Sequence, residues 1–360
     1  MFPHYIPQNL LFAELLHKMV YIEDAPYILF PLFSPILIWL ISKKIFKGFL
    51  ALIPLLIFLI SPWGWYLAIA HSFYIFMFFL TLIIIYAIVL VRSGSVIFGN
   101  VLLVLASLIA MYCSSLFLVF VPLSLIILLI TKIVSIKDVK TAVVLLVILT
   151  LPLLFIINKE KANFKNEFSN EVKIFSDPSL LNSINRYQGA AAQTGLINLS
   201  RISENKYLFF TEYSLLKYAS QLVPETVFTP QYKLLGFSFS PPIFMGFAIP
   251  FIYGLYLALK KSGLQRLLFV SSILTVPSIL ANETVALNRL ILFSPVIFIL
   301  ISYGLIVLYN KRENVLSRNF LILTLFLVIF QLIITVSDIR TREGQRFVQY
   351  FGNKYEITEP

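Results

Sequence analysis

Charged residues are scarce in this chain. Asp, Glu, Lys and Arg make up 12% of its 360 residues, against about 25% in soluble domains. Apolar residues make up 59%, more than a water-soluble protein can bury. The composition therefore excludes a soluble domain. A bilayer core about 30 Å thick accepts a helix of roughly 20 apolar residues, so the sequence predicts an all-α integral membrane protein with many crossings.

Residues that carry soluble-enzyme chemistry are also few. The single cysteine, Cys113, permits no intramolecular disulfide. The 13 glycines form neither GxGxxG nor GxxxxGK, and the three histidines lack metal-ligand spacing. The middle of every apolar run is free of ionisable residues, which counts against an ion-coupled transporter or a channel with a charged ring. Chemistry is therefore expected at a membrane face, where the polar residues lie.

Ten apolar runs predict about ten transmembrane helices. The runs cover about 25–42, 48–61, 73–91, 96–112, 114–131, 141–157, 240–259, 265–281, 290–309 and 319–337. The second run is the weakest, because it is short and contains Pro54, and by itself it also fits a re-entrant segment. The distribution of basic residues favours a crossing.

Lysine and arginine gather between alternate runs. Thirteen lie in the loops on one side: Lys43, Lys44, Lys47, Arg92, Lys132, Lys137, Lys140, Lys260, Lys261, Arg266, Lys311, Arg312 and Arg318. The short loops on the other side, 62–72, 112–115 and 282–289, hold only Arg289. The side with the thirteen basic residues is therefore predicted to be cytoplasmic. The basic residues alternate between the two sides in this way only if all ten runs cross. Trp63, Trp65 and Tyr66 are expected to form an aromatic belt at the external interface.

This topology divides the chain into five parts. Residues 1–25 form an external N-terminal remnant of a loop, 26–157 hold transmembrane helices 1–6, 158–239 form a large external loop with amphipathic helices, 240–337 hold transmembrane helices 7–10, and 338–360 form an external C-terminal tail. The predicted location is the plasma membrane, with the large loop on the extracytoplasmic side. Apolar spacing in 207–223 predicts an amphipathic helix along the membrane surface. Because no helix precedes the exported N-terminus, we expect that a first helix is missing through truncation or a misplaced start codon.

Four residues of the predicted external face are candidates for binding a lipid phosphate or another substrate group. Glu283 and Arg289 stand six apart in a tight turn, where an arginine can grip a phosphate with two parallel hydrogen bonds. The alternative is an interfacial anchor, or a Glu–Arg pair worth under about 1 kcal/mol. Arg186 and Arg201 suit sugar hydroxyls and phosphates, and they also fit a solvated loop face.

Two carboxylates are candidates for the catalytic role. Glu23 and Asp24 stand immediately before the first apolar run. Acidic residues at that position also stabilise the N-terminus of a helix through its dipole. Both interpretations stay open.

Several segments together resemble the membrane glycosyltransferases of the GT-C class. LFSPILIWLISKKIF (32–46) and LIFLISPWGWYLAIAHSFYIFMFFL (56–80) are similar to that family's early spans, with a Ser-Pro turn and a following surface helix. MYCSSLFLVFVPLSLIILL (111–129) is similar to its tight outer turn between two central spans. GFSFSPPIFMGFAIPFIYGLYLALKK (236–261) and NETVALNRLILFSP (282–295) resemble its C-terminal half. The likeness covers about 26–310 and points to the dolichyl-phosphate-mannose–protein mannosyltransferases, the aminoarabinose transferases and RgtA–D-like bacterial members.

The resemblance implies a GT-C-like fold and a reaction. A sugar would pass from a polyprenyl-phosphate-linked donor to a glycan, lipid or protein acceptor at the outer membrane face. A carboxylate would deprotonate the acceptor hydroxyl, and a cation, here Arg289, would contact the leaving phosphate. Some members need a divalent metal ion and others do not, so the cofactor stays open. The family keeps its catalytic aspartate, often in an Asp-Glu pair, in the first external loop. Residues 2–24 look like the end of that loop without the pair, so a truncated copy is expected.

Two further classes of protein stay open. One is a polysaccharide polymerase or ligase of the O-antigen type, whose usual signature is several arginines in external loops. The predicted external loops of this chain offer few such arginines: Arg186, Arg201 and Arg289. The other is a non-enzymatic flippase or scaffold. Nucleic acid is not an expected partner, because the lysines and arginines are spread in short clusters rather than along one basic stripe.

Overall fold

The computed structural model describes residues 25–63, 73–172, 182, 184–186, 189, 190, 193, 206–229, 241–281 and 287–341. All regular secondary structure in these ranges is helical, which confirms the predicted all-α class. Four of the candidate residues, Glu23, Asp24, Arg201 and Glu283, lie outside the described residues.

The helices follow the ten apolar runs closely. The first half of the chain holds α1 Ala25–Lys43, α2 Ile53–Ile60, α3 Phe73–Arg92, α4 Val96–Cys113, α5 Ser115–Ile130, α6 Ile136–Lys159 and α7 Lys161–Glu171. The second half holds α8 Lys206–Leu222, α9 Pro224–Phe228, α10 Ala248–Leu259, α11 Ser262–Ser271, α12 Val276–Ile279, α13 Leu287–Leu290, α14 Ser294–Asn310 and α15 Val315–Thr341. Short 3-10 helices lead into α2, α10, α12 and α14. Each of these four helices has a proline, which lacks an N–H to donate, in its first turn or just behind it.

Five helices in the described ranges are long and apolar enough to cross a membrane. They are Phe73–Arg92, Val96–Cys113, Ile136–Lys159, Asn288–Asn310 and Val315–Val336. Five shorter apolar helices coincide with the other predicted runs: Leu32–Lys43, Gly48–Ile60, Ser115–Ile130, Met245–Leu259 and Leu268–Ile279. The chain is thus a multi-pass helical membrane protein by the length and composition of its helices.

Several hydroxyl groups inside the helices donate to a carbonyl of their own helix. Ser42, Thr81 and Ser302 each donate to the carbonyl oxygen four residues earlier, at 2.6, 2.8 and 2.7 Å. Such bonds hide a polar group from an apolar medium without a partner on another helix. These hydroxyls therefore mark no polar path through the bundle.

Aromatic residues join the two halves of the chain. The ring of Phe58 stacks on that of Phe78 and meets the edge of Phe298, with centroid distances of 5.8 Å in both cases. Trp63 is fully buried, and its backbone N–H donates to the carbonyl of Pro242 at 3.1 Å. The expectation that Trp63 belongs to an interfacial belt is wrong, because the return of the chain at 241–243 covers it. Trp65 and Tyr66 lie outside the described residues.

The two ends of the bundle differ in charge. At one end, which we call the basic end, cations sit over aromatic rings: Lys43 over Trp39, Lys260 over Tyr256, Lys261 over Tyr303 and Arg312 over Tyr309, at 4.3 to 5.4 Å. The opposite end, which we call the loop end, holds the start of α3, the α4–α5 turn, the end of α7 and the start of α13. Arg289 lies there.

Candidate functional site

Arg289 is held in place by three separate elements at the loop end. Its Nη1 donates to the backbone carbonyl of Glu171 at 2.6 Å and to that of Pro277 at 3.3 Å. Its guanidinium carbon lies 5.3 Å from the centre of the Tyr74 ring. A planar cation fixed by two carbonyls and an aromatic face keeps one orientation. The site thus joins the end of α7, the segment of α12 and the start of α3 around one side chain.

The rest of the guanidinium has no hydrogen-bond partner among the described residues. Arg289 is half-buried, and within the described part of the chain its Nε and Nη2 donate no hydrogen bond. No carboxylate among those residues pairs with it. Neighbouring Nε and Nη2 hydrogens form the fork that a phosphate or carboxylate accepts. The arrangement is suited to holding an anion at the end of the bundle.

Glu171 does not neutralise this cation. Its carboxylate accepts hydrogen bonds from the Ser114 hydroxyl at 2.8 Å, from the backbone N–H of Leu116 at 2.7 Å, and from the Ser115 hydroxyl. These donors belong to the first turn of α5, whose N–H groups have no partner inside the helix. A negative charge there is also favoured by the helix dipole. Glu171 therefore caps α5 with its side chain and holds Arg289 with its backbone.

A second cation, Lys217, donates to the same segment, 277–281, that accepts a hydrogen bond from Arg289. Lys217 on α8 is 4% exposed, and its Nζ donates to the carbonyl of Ala281 at 2.6 Å. The carbonyls of Pro277 and Ala281 lie near the C-terminal end of α12, where cations are favourable. Positive charge is thus concentrated around residues 277–281.

Helix α8 turns polar side chains toward the bundle. The helix predicted at 207–223 is present as α8. Its exposed face carries Leu208, Leu215 and Leu216, whereas Lys217 and Gln221 are buried. Within the described residues, both side-chain amide atoms of Gln221 lack a hydrogen-bond partner.

Of the six predicted site residues, the structure describes two, Arg289 and Arg186, and it does not bring them together. Arg186 is exposed, and no hydrogen bond in the described residues joins it to Arg289. Among the described residues, no group of three or more His, Cys, Asp or Glu could hold a metal ion.

Neither Glu171 nor the buried Lys217 was identified from the sequence. The Ser-Ser pair at 114–115 in a tight turn was the one available signal. A carboxylate 55 to 57 residues away could not be paired with it from spacing. No protein-family model and no curated protein matches the chain.

Proposed function

We propose that this chain is a membrane glycosyltransferase of GT-C type that uses a polyprenyl-phosphate-linked sugar donor. The observation that carries the proposal is the half-buried guanidinium of Arg289, fixed by two carbonyls and Tyr74 with its fork open. A phosphate at a bundle end, with its hydrocarbon tail in lipid, is a ligand of matching charge and position. The acceptor is a glycan, a lipid or a protein, and the site faces the outside of the plasma membrane.

The proposed topology has ten crossings. The five long helices and the five shorter apolar ones coincide with the ten predicted runs. The basic end carries the lysines and arginines of alternate connections, which is the pattern of a cytoplasmic face. The loop end then faces outward with Arg289, and the large loop 158–239 lies on the same side.

The chemistry assigned to the site is a substitution at the anomeric carbon. The acceptor oxygen attacks that carbon while a carboxylate takes the hydroxyl proton, and the bond from the carbon to the phosphate oxygen breaks. The electron pair of that bond stays with the phosphate, which leaves as polyprenyl phosphate. Arg289 stabilises the added negative charge. Glu171 is a poor candidate for the base because three donors already occupy its carboxylate, so Glu23 and Asp24 remain the proposed carboxylates.

Binding of the product tests this proposal without knowledge of the sugar. Purified full-length protein should bind polyprenyl phosphate, and Arg289→Ala should weaken binding roughly 10- to 100-fold, the equivalent of a charge-assisted contact of about 1.5–3 kcal/mol. Arg312→Ala is the matched control, since this arginine also stacks on a tyrosine but at the basic end. Polyprenol, which lacks the phosphate, and inorganic phosphate, which lacks the hydrocarbon tail, serve as competitors.

Turnover separates the proposal from its alternatives. Proteoliposomes given a panel of polyprenyl-phosphate sugars should release polyprenyl phosphate from one of them, and Arg289→Ala should slow that release. A polymerase or ligase acts instead on longer lipid-linked glycans, and a flippase moves the lipid without releasing it. Binding that is equal in wild type and Arg289→Ala, or equally strong for polyprenol, would contradict the proposed role of Arg289.

A further inference from the structure

A cavity of about 190 Å³ extends from the basic end past the middle of the bundle. It is lined by parts of α1, α3, α5, α11 and α14, with side chains such as Ile85, Leu128 and Ile299 in its wall. Its volume exceeds the roughly 150 Å³ of an apolar cavity that accepts benzene. The space is therefore large enough for part of a hydrocarbon ligand.

The described wall of this cavity offers few hydrogen bonds to a polar ligand. Its three hydroxyl residues each donate to a carbonyl of their own helix: Thr81 to Met77 at 2.8 Å, Ser124 to Val121 at 2.7 Å and Ser271 to Leu268 at 2.9 Å. The other residues of the wall are apolar, with Arg92 as the exception. A sugar or water cluster would lose hydrogen bonds on entering, whereas a hydrocarbon chain would not.

Among the described residues, Arg92 is the one charged residue in the cavity wall, and it stands at the basic end. It occupies the last turn of α3, is exposed, and makes no side-chain hydrogen bond to the described part of the chain. Thr81, at the deep end, is eleven residues earlier on the same helix, a distance of about 16 Å. That depth equals roughly half of a 30 Å hydrocarbon core, the share of one leaflet.

We propose that this cavity binds an anionic phospholipid from the leaflet at the basic end, with one acyl chain between α3, α5 and α14 and the phosphate at Arg92. The depth matches one acyl chain, the apolar wall matches its chemistry, and the single rim cation matches the headgroup charge. The proposal does not rest on the proposed sugar transfer, because Arg289 does not line the cavity and Arg92 lies at the opposite end of the bundle.

Photo-crosslinking maps the occupant directly. Full-length protein is placed in phosphatidylcholine nanodiscs containing a phosphatidylglycerol probe with a photoreactive group on its acyl chain. The labelled peptides should come from the cavity wall in α3, α5 and α14. Arg92→Ala should reduce this labelling about fivefold, as expected for one arginine near an anionic headgroup. Ser124→Phe, which fills the cavity from α5, should abolish it.

Arg318→Ala is the control for loss of a basic-end charge, since Arg318 is exposed and does not line the cavity. It should leave the labelling unchanged. The proposal is overturned if Arg92→Ala and Arg318→Ala behave alike, if a phosphatidylcholine probe labels the wall equally, or if labelling is confined to the lipid-exposed faces of α6 and α15. Because Arg92 is exposed, its replacement keeps the test valid even if Ser124→Phe fails to fold.

Discussion

At the scale of single residues, the loop end depends on one glutamate with two separate functions. The carboxylate of Glu171 satisfies the first turn of α5, and its carbonyl positions Arg289. Removing the side chain leaves the carbonyl in place, so the two functions can be tested apart. The sequence identified Arg289 as a candidate because it was the lone basic residue of the short loops on its side. It could not identify Glu171, because the contact depends on how α7 folds back on the α4–α5 turn.

Glu171→Ala is expected to destabilise the protein by about 1–3 kcal/mol, because it leaves buried donors of α5 without an acceptor. Ser115→Ala should destabilise the protein less than Glu171→Ala does. The double variant should destabilise it by less than the two single effects added together, since the two side chains share one hydrogen bond. Thermal unfolding in detergent measures all three. Glu160→Ala removes a half-buried carboxylate whose hydrogen bond from Asn163 is exposed, and it should change stability by under about 0.5 kcal/mol. Additive effects of Glu171→Ala and Ser115→Ala would contradict the shared bond.

Gln221→Met is expected to raise stability by about 1–3 kcal/mol. The native amide is 1% exposed, and neither of its polar atoms has a hydrogen-bond partner among the described residues. Burying an unbonded amide costs free energy, and methionine has a similar length without the polar atoms. The same thermal unfolding measurement tests it, with Ser220→Ala on the exposed side of α8 as a comparison. A loss of stability would show that the amide has a partner in the membrane-embedded protein.

At the scale of elements, α10 and α14 cross through two glycines. A Cβ at Gly254 would overlap the carbonyl oxygen of Leu300, and one at Gly304 would overlap that of Pro250. Small residues let helix backbones touch in a membrane, where packing rather than hydrophobic burial drives association. The crossing fixes the position of α14, which follows Arg289 and lines the cavity.

Gly254→Val or Gly304→Val should therefore lower the free energy of unfolding by about 1–3 kcal/mol or more, because the neighbouring group is backbone and cannot rotate away. Gly189→Val is the control, since a Cβ there meets open space. Unfolding in detergent and the yield of monodisperse protein report the effect. Wild-type stability in both glycine variants would rule out the close crossing.

The positions of the helices could be predicted from the sequence, but which face of each helix is buried could not. Long apolar runs located α3, α4 and α14 to within a few residues, because a run of that length has no other stable state in lipid. Breaks such as the 3-10 turn at Ser272–Thr275, just before Pro277, were missed within single runs. The buried Lys217 was also missed, since the pattern of α8 alone cannot tell a lipid-facing surface from a water-facing one.

At the scale of the whole molecule, the proposed topology assigns the two ends to opposite sides of the membrane. Cysteine labelling of intact cells tests this assignment in a Cys113→Ala background, which removes the sole native thiol. A membrane-impermeant maleimide should label Ala162→Cys at the loop end and should not label Glu313→Cys at the basic end. Both positions are exposed. Labelling of Glu313→Cys alone would reverse the orientation and remove the outward-facing site.

The packing of Phe58 between Phe78 and Phe298 has a consequence for biosynthesis. Phe298 leaves the ribosome roughly 240 residues after Phe58, which at about 5–20 residues per second is a delay of roughly 10 to 50 s. During that interval the eight-residue α2 has no native neighbour on one flank, so its ring faces lipid or the insertion machinery. Nascent chains arrested before α14 should therefore crosslink from position 58 to the translocon, and completed chains should not.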